Sequence, residues 1–235
     1  MGIPVGIEVR APVALPRDVL DAAFAVLREA DARFSTWRQG SEIRRLDAGT
    51  LALQDAHPDV RAVLQRCEAL RVRTGGAFDV RARGALDPSG YVKGWAVERA
   101  AEVLRAAGAT SFCLHAGGDV LTAGGPWRVG IAHPRRRDAL AAVLEVADLA
   151  VATSGSTERG DHVVDPRTGR APSAVLSVTV VGPGLAEADA LATAAFALDA
   201  DGPAFTATLE GHEALTILAE GRMLSTPGLA ALRRD

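Results

Sequence analysis

The chain lacks the features that mark several functional classes. Only two of its 235 residues are cysteines, Cys67 and Cys113, and they form no C-x-x-C pair. A thiolate metal centre or dithiol redox site is therefore not expected. Cys67 falls on the apolar stripe of a predicted helix and Cys113 in a predicted strand. Both read as small buried apolar residues, and nothing argues for a disulfide between them. The formal net charge of -3 leaves no footprint for nucleic acid or an anionic membrane. The short run Arg135, Arg136, Arg137 is expected in a solvated loop. No apolar stretch reaches the ~18 residues of a spanning helix, so no membrane segment is expected. The opening "MGIPVGIEVRAPV" has no basic segment followed by an apolar run, so no signal peptide is read. The expectation is a cytoplasmic chain, or an exported one trimmed of its signal. Neither the P-loop nor the G-x-G-x-x-G fingerprint occurs. Repeats, low-complexity tracts and clear linkers are also missing.

What is present reads as an ordinary globular protein, with 48% hydrophobic and 23% charged residues. Its length suits one large domain or two small ones. Residues 3–10 read as a strand. Val19, Leu20, Ala23, Phe24, Leu27 and Ala30 then recur at helical spacing. A loop, "RQGSEIRRLDAGTL", is expected before a second helix over 58–73, with Gly75 as its C-cap. "GAFDVRARGALDPSGYVKG" is turn-rich and leads to a third helix over 94–107. "SFCLHA", "WRVGIAH", "AVLEVADLAVATS" and "AVLSVTVVG" are strand candidates. A helix over 185–198 follows, then a hairpin turning at Glu220 and Gly221, then a short closing helix. Without a regular βαβ alternation, one α+β domain over 1–235 is the simplest reading.

The segment "EADALATAAF" (187–196) carries the first candidate chemistry. On a helix, Asp189 and Thr193 lie about 40° apart on one face. Apolar residues flank that pair on both sides. A carboxylate so placed needs a pairing partner or a cation. Carboxylate plus hydroxyl is an all-oxygen set that suits a hard ion such as Mg2+. Taken alone the pattern is weak, and pairing with an Arg, or a Thr193 bond to its own helix backbone, is the more ordinary account of it. Three glycine-rich turns, "TGGAFD", "HAGGD" and "ATSGS", offer backbone N–H groups to phosphate oxygens, or are simply tight turns. Lys93, read as just before a helix start, opposes the helix dipole and is useful beside a phosphate. Otherwise it is a surface lysine covering Trp95. His162, at the head of a short strand before the turn "DPRTG", is a candidate general base, or a structural histidine.

Eight segments in register carry a family resemblance: "FSTWRQGSEIRRLD", "TGGAFDV", "DPSGYVKGWAVERAAEVL", "HAGGD", "WRVGIAHP", "AVATSGS", "HVVDPRTG" and "SVTVVGPGLAEADALATAAFAL". With them the chain resembles the ApbE-type FAD:protein FMN transferases, flavin-trafficking enzymes. The resemblance implies a single α+β domain of mixed or antiparallel sheets packed by helices, related to the T-fold. It implies binding of FAD and Mg2+. It also implies transfer of FMN onto a Thr or Ser hydroxyl of an acceptor flavoprotein, with release of AMP. Two other outcomes stay open for such a site, an FAD pyrophosphatase and a non-catalytic flavin carrier.

Carried over residue by residue, the metal ligands are the Asp189 carboxylate, the Thr193 hydroxyl and the Gly90 carbonyl. Lys93 matches the family lysine that contacts FAD. Thr74, Ala77, Phe78 and Asp79 match the segment lining the flavin nucleotide. Gly117, Gly118 and Asp119 match a turn near the cofactor, and Ser154 and Gly155 match "ATSG". His162 matches a histidine beside the phosphates. Met1 corresponds to a methionine that touches the isoalloxazine ring. Lys93, His162 and Asp119 are the expected catalytic groups, with His162 or Asp119 taking the acceptor proton. The chain departs from the family pattern at Ser156, at Asp47 in place of an Asn, in "SGYVKG", and in the short segment before His162.

Overall fold

The computed structural model describes residues 2–10, 15–156 and 163–234. Its elements run in chain order as β1 (Val5–Val9), α1 (Arg17–Phe34), α2 (Glu42–Asp47), α3 (Pro58–Arg73), α4 (Ser89–Ala106), β2 (Phe112–Ala116), β3 (Asp119–Ala123), β4 (Trp127–His133) and β5 (Arg136–Val146). There follow β6 (Ala150–Gly155), β7 (Val175–Gly182), α5 (Leu185–Ala197), α6 (Gly202–Thr206), β8 (Glu213–Leu218), β9 (Met223–Ser225), α7 (Leu229–Leu232) and β10 (Arg233–Arg234). The architecture is α+β, as expected. Seven strands form one sheet in the order β1-β2-β3-β6-β7-β8-β9, and three form a second in the order β10-β5-β4. Every pairing among the described residues is antiparallel.

Three layers result. Helices α4 and α5 pack on one face of the large sheet, where Leu114, Leu121, Ala152, Val178 and Val180 meet Ala96, Leu104 and Leu191, and α1 packs on α4. The small sheet covers the other face, with Trp127, Ile131 and Leu144 against Val151, Val181 and Leu215. Strand β7 is thus buried on both sides, and its sequence "VLSVTVVG" is apolar almost throughout instead of alternating. Helix α5 lies between α4 and strands β6 and β7, with 11 of its 13 residues buried. Its alanines follow from that position, since larger side chains would hold the neighbours apart.

Local signals behave as their chemistry requires. At the end of α3 the N–H of Gly75 bonds the Val72 carbonyl and the N–H of Gly76 bonds the Arg71 carbonyl. Gly75 has φ +58°, the left-handed conformation that this double-bonded cap needs. Gly117 and Gly118 both have positive φ and close the two-residue hairpin between β2 and β3.

Four expectations are corrected. The loop "RQGSEIRRLDAGTL" contains α2, started by Ser41, whose hydroxyl accepts the Arg44 N–H at 3.1 Å, and pinned by the buried Ile43. Helix α4 begins at Ser89, not at residue 94, because Asp87 and Pro88 initiate it: the Asp87 carboxylate accepts the Ser89 N–H at 2.9 Å. "ATSGS" is mostly strand, since residues Ala150–Gly155 form β6. Val163 and Val164 are not in a strand. Both cysteines are free, Cys67 buried and Cys113 half-buried.

Candidate functional site

The candidate residues converge where α4, α5, β3 and β6 meet. Asp119 opens β3 and is fully buried, and Asp189 on α5 is 3% exposed. Two buried carboxylates require a positive partner. Lys93 supplies it: its Nζ lies 2.6 Å from Asp119 Oδ2 and 3.5 Å from Asp189 Oδ1. The lysine side chain keeps 17% exposure, so its charge borders solvent while its partners lie deeper. Asp119 Oδ1 also accepts the Thr153 N–H of β6 at 3.0 Å. Lys93 sits in the second turn of α4, not ahead of the helix. The dipole of α4 therefore bears on it weakly, and the two carboxylates explain its position.

A second group adjoins the first. Ser154 of β6 and Thr193 of α5 stand hydroxyl to hydroxyl at 3.2 Å. A Cβ built on Gly90 would lie 3.5 Å from Thr193 Oγ1 and 3.3 Å from the Phe78 ring. Gly90 thus brings its backbone against both Thr193 and the "TGGAFD" segment. Its carbonyl belongs to the first turn of α4 and retains a second lone pair. Asp189, Thr193 and Gly90 therefore offer oxygen donors from two adjoining helices.

Local hydrogen bonds hold the flanking segments. Thr74 Oγ1 accepts the Phe78 N–H at 3.0 Å and holds the turn that buries Ala77 and Phe78. The Asp79 carboxylate accepts the Arg81 N–H at 2.7 Å, a local turn contact. Gly76 faces Arg167 of the "DPRTG" turn. There Arg167 pairs with Asp165 through two bonds of 2.9 Å, which hold the Asp165 carboxyl below its ordinary range. Gly117 packs on Ile3, which also lines a cleft of about 520 Å³ with Gly2, Val5, Phe24, Arg28 and Arg38. Gly155 is buried in β6, where a Cβ would lie 2.8 Å from the Leu176 carbonyl, so its bareness serves strand packing. Met1 and His162 lie outside the described residues.

Three further features are not apparent from motif spacing. The Glu98 carboxylate of α4 accepts the Ala186 N–H of α5 at 3.0 Å. Burial pushes its carboxyl up, against the lowering pull of the amides it accepts. Trp37, next to Arg38 of the cleft, is 91% exposed. Asp199 accepts three N–H groups, from Ser173, Ala174 and Val175, and ties the segment before β7 to the end of α5. It adopts φ +53° to do so. A Trp among polar neighbours was the available signal for the second.

Comparison with known proteins follows the same residues. The ApbE family model matches residues 1–85 and 81–216. The chain is 36% identical over 159 residues to the FAD:protein FMN transferase of Rhodobacter capsulatus, covering 62% of this chain and 30% of that protein. To the FAD:protein FMN transferase of Vibrio cholerae it is 33% identical over 123 residues, covering 46% and 37%. The FAD:protein FMN transferase of Treponema pallidum is 27% identical over 258 aligned positions, covering 93% and 70%. The chain thus spans well under two thirds of the length of the first two relatives. The flavin transferase ApbE from Vibrio cholerae superposes with a TM-score of 0.86 at 23% identity, covering 99% of this chain and 96% of that one. The ApbE protein of Thermotoga maritima superposes at 0.85 with 22% identity, covering 100% and 97%. Those structures share its fold. The second matched block contains the α4, β3, β6 and α5 segments that build the carboxylate–lysine cluster, and the chain belongs to the ApbE family.

Proposed function

We propose that this protein transfers FMN from FAD to a Thr or Ser hydroxyl of an acceptor protein, with Mg2+, and releases AMP. The observation that carries the reading is the meeting of Lys93 with two buried carboxylates beside the Thr193 hydroxyl and the Gly90 backbone. A pyrophosphate is a dense anion, and its transfer depends on charge neutralisation more than on covalent chemistry. The donor set fits the ion. Mg2+ takes oxygen ligands, and is commonly held by one or two carboxylates together with substrate phosphates. Asp189, Thr193 and the Gly90 carbonyl would hold it. When bound, Mg2+ neutralises the pyrophosphate and favours departure of the AMP phosphate.

The chain's own residues supply the rest. Lys93 faces the remaining phosphate charge. The oxygens of Asp119 are committed to Lys93 and to the Thr153 amide, which suits this carboxylate to holding the lysine in place. His162 then takes the proton as the acceptor oxygen bonds to the FMN-side phosphorus and the bond to the AMP oxygen breaks. Thr74, Ala77, Phe78, Asp79 and the Gly117–Gly118 turn, with Ser154 and Gly155, line the nucleotide. The cleft at Gly2 and Ile3 receives the flavin ring.

The test is incubation with FAD, Mg2+ and candidate acceptors, read by mass spectrometry for covalent FMN and by AMP release. AMP formed only alongside a flavinylated acceptor supports the transferase. Rapid AMP release without acceptor makes the protein a pyrophosphatase, and tight FAD binding with neither product makes it a carrier. Asp189→Ala should abolish Mg2+-dependent turnover in a folded protein; full activity in that variant would refute the metal assignment.

A further inference from the structure

The two halves of the candidate cation site are carried by different helices. Lys93 and Gly90 belong to α4, and Asp189 and Thr193 to α5. Something must set one helix against the other within a fraction of an ångström, because a misplacement of about 1 Å at a reacting centre costs on the order of 100-fold in rate. Two residues of α4, Gly94 and Glu98, contact the first turn of α5 directly. A Cβ on Gly94 would lie 2.4 Å from the Ala186 nitrogen and 2.5 Å from the Leu185 carbonyl carbon. The bare glycine therefore lets the first turn of α5 rest directly on α4. One turn further, Glu98 Oε1 accepts the Ala186 N–H at 3.0 Å. The N-cap of α5 is Gly184, which has no side chain to perform this task. A Cβ at 184 would stand 3.0 Å from the same Glu98 oxygen, so the carboxylate occupies the place of a cap side chain. Glu98 thus caps α5 from a neighbouring helix, and its charge complements the dipole there.

We infer that Gly94 and Glu98 form a clamp on the first turn of α5 that sets the Lys93–Asp189 separation, and that Glu98 is a positioning residue for divalent-cation binding. The inference rests on the proposed reading of Asp189 and Thr193 as ligands. Gly94 is the chain neighbour of Lys93, and Ala186 lies three residues before Asp189 on the same side of α5. Any slip of α5 along α4 therefore reappears at the 3.5 Å contact between Lys93 and Asp189. A methyl group at 94 would have to force the helices apart by about 1 Å to reach ordinary contact distance. Charge alone does not explain Glu98. A carboxylate is half-buried where a serine at 184 would have capped the helix at less cost, and only a group on α4 couples the cap to Lys93.

The full chain, free of FAD, is titrated with Mn2+ and followed by electron paramagnetic resonance, alongside its melting temperature. Loss of the clamp in Glu98→Ala should weaken Mn2+ binding about 10- to 100-fold, the usual effect of removing an outer-shell partner. Glu98→Gln keeps an acceptor for Ala186 and should recover most of that loss. Recovery by Gln, at whatever melting temperature, separates positioning from general destabilisation. If Glu98→Ala does not fold, Glu98→Asp, one methylene shorter, replaces it with the same expectation. Asp189→Ala is the reference. If it leaves Mn2+ binding intact, the metal reading fails, and a crystal structure of the Glu98 variant then decides the clamp alone. The Lys93 Nζ–Asp189 Oδ1 distance should open beyond 4 Å, the outer limit of an ion pair. Unchanged Mn2+ affinity, or an unchanged Lys93–Asp189 distance, overturns the inference.

Discussion

Ser154 and Thr193 face each other across the junction of strand β6 and helix α5, hydroxyl to hydroxyl at 3.2 Å. Either hydroxyl can donate, and the contact holds the Thr193 oxygen at the junction. Thr193→Val keeps the shape and removes the oxygen. It should cut Mg2+-dependent turnover by roughly 100-fold or more while the protein keeps most of its stability, since a net hydrogen bond is worth only about 1 kcal/mol. Thr193→Ser should retain most activity. The check is initial rates against Mg2+ concentration for the three proteins. Equal rates in Thr193→Val would remove this hydroxyl from the ligand set.

Lys93 is the cation between two buried carboxylates, so Lys93→Met should be costly to the fold as well as to the chemistry. Removing one partner of a buried pair typically costs about 3–5 kcal/mol, because the surviving charge is left uncompensated. Chemical denaturation measures the loss. Adding Asp119→Asn to the lysine variant should recover part of it. Mg2+ should raise the melting temperature of Lys93→Met more than that of wild type, because a cation at Asp189 then supplies the missing charge. No Mg2+ effect on either protein would count against Asp189 as a ligand.

How much of this was legible without coordinates follows from the physics of each element. The apolar periodicities of α1 and α3, the apolar run of α5 and the β-rich runs placed most elements, because burial alone dictates those patterns. Helix α2 escaped because six residues are too few for a period to emerge. Its Ser41 cap and single buried Ile43 are the only marks it leaves. The early start of α4 escaped because "DPSG" has turn composition. The same Asp and Pro that close a turn also open a helix. Asp189 and Thr193 were visible as polar intruders on an apolar helix, yet Lys93, the partner of Asp189, lies 96 residues before it along the chain. No local spacing joins them. Glu98 was invisible for the opposite reason: a glutamate on a helix is ordinary, and only the approach of α5 makes it a cap.

Burial also governs the thiols. It pushes Cys67 up to about 12 and Cys113 up to about 11, in each case chiefly by desolvating the thiolate. The thiolate is the nucleophile, so neither residue should react appreciably with an aromatic disulfide reagent at pH 8 in the folded protein. Both should react fully in guanidinium. Rapid labelling of Cys67 under native conditions would mean that the α3 side of the core opens readily, contrary to its 1% exposure.

Asp47, where relatives are expected to carry Asn, holds the segment after the "TGGAFD" turn. Its Oδ1 accepts the Leu86 N–H at 2.9 Å and an Arg81 N–H at 3.0 Å. The Leu86 amide above all, helped by Arg81, holds its carboxyl below the ordinary value of 3.8, against the opposing effect of burial. A carboxyl lowered in the folded state stabilises the protein above its unfolded value, and that contribution disappears as the pH falls through the folded value. Asp47→Asn preserves an acceptor for Leu86 but loses the charge that attracts Arg81. The variant should therefore melt below wild type at pH 7, and the gap should hold down to about pH 5 and close in more acid solution. Asp165, also lowered by its arginine, is unchanged in both proteins, so its own acid loss cancels in the comparison. Melting curves at stepped pH decide the matter: a gap that widens in acid would show that the Asp47→Asn variant fails through packing and not through charge.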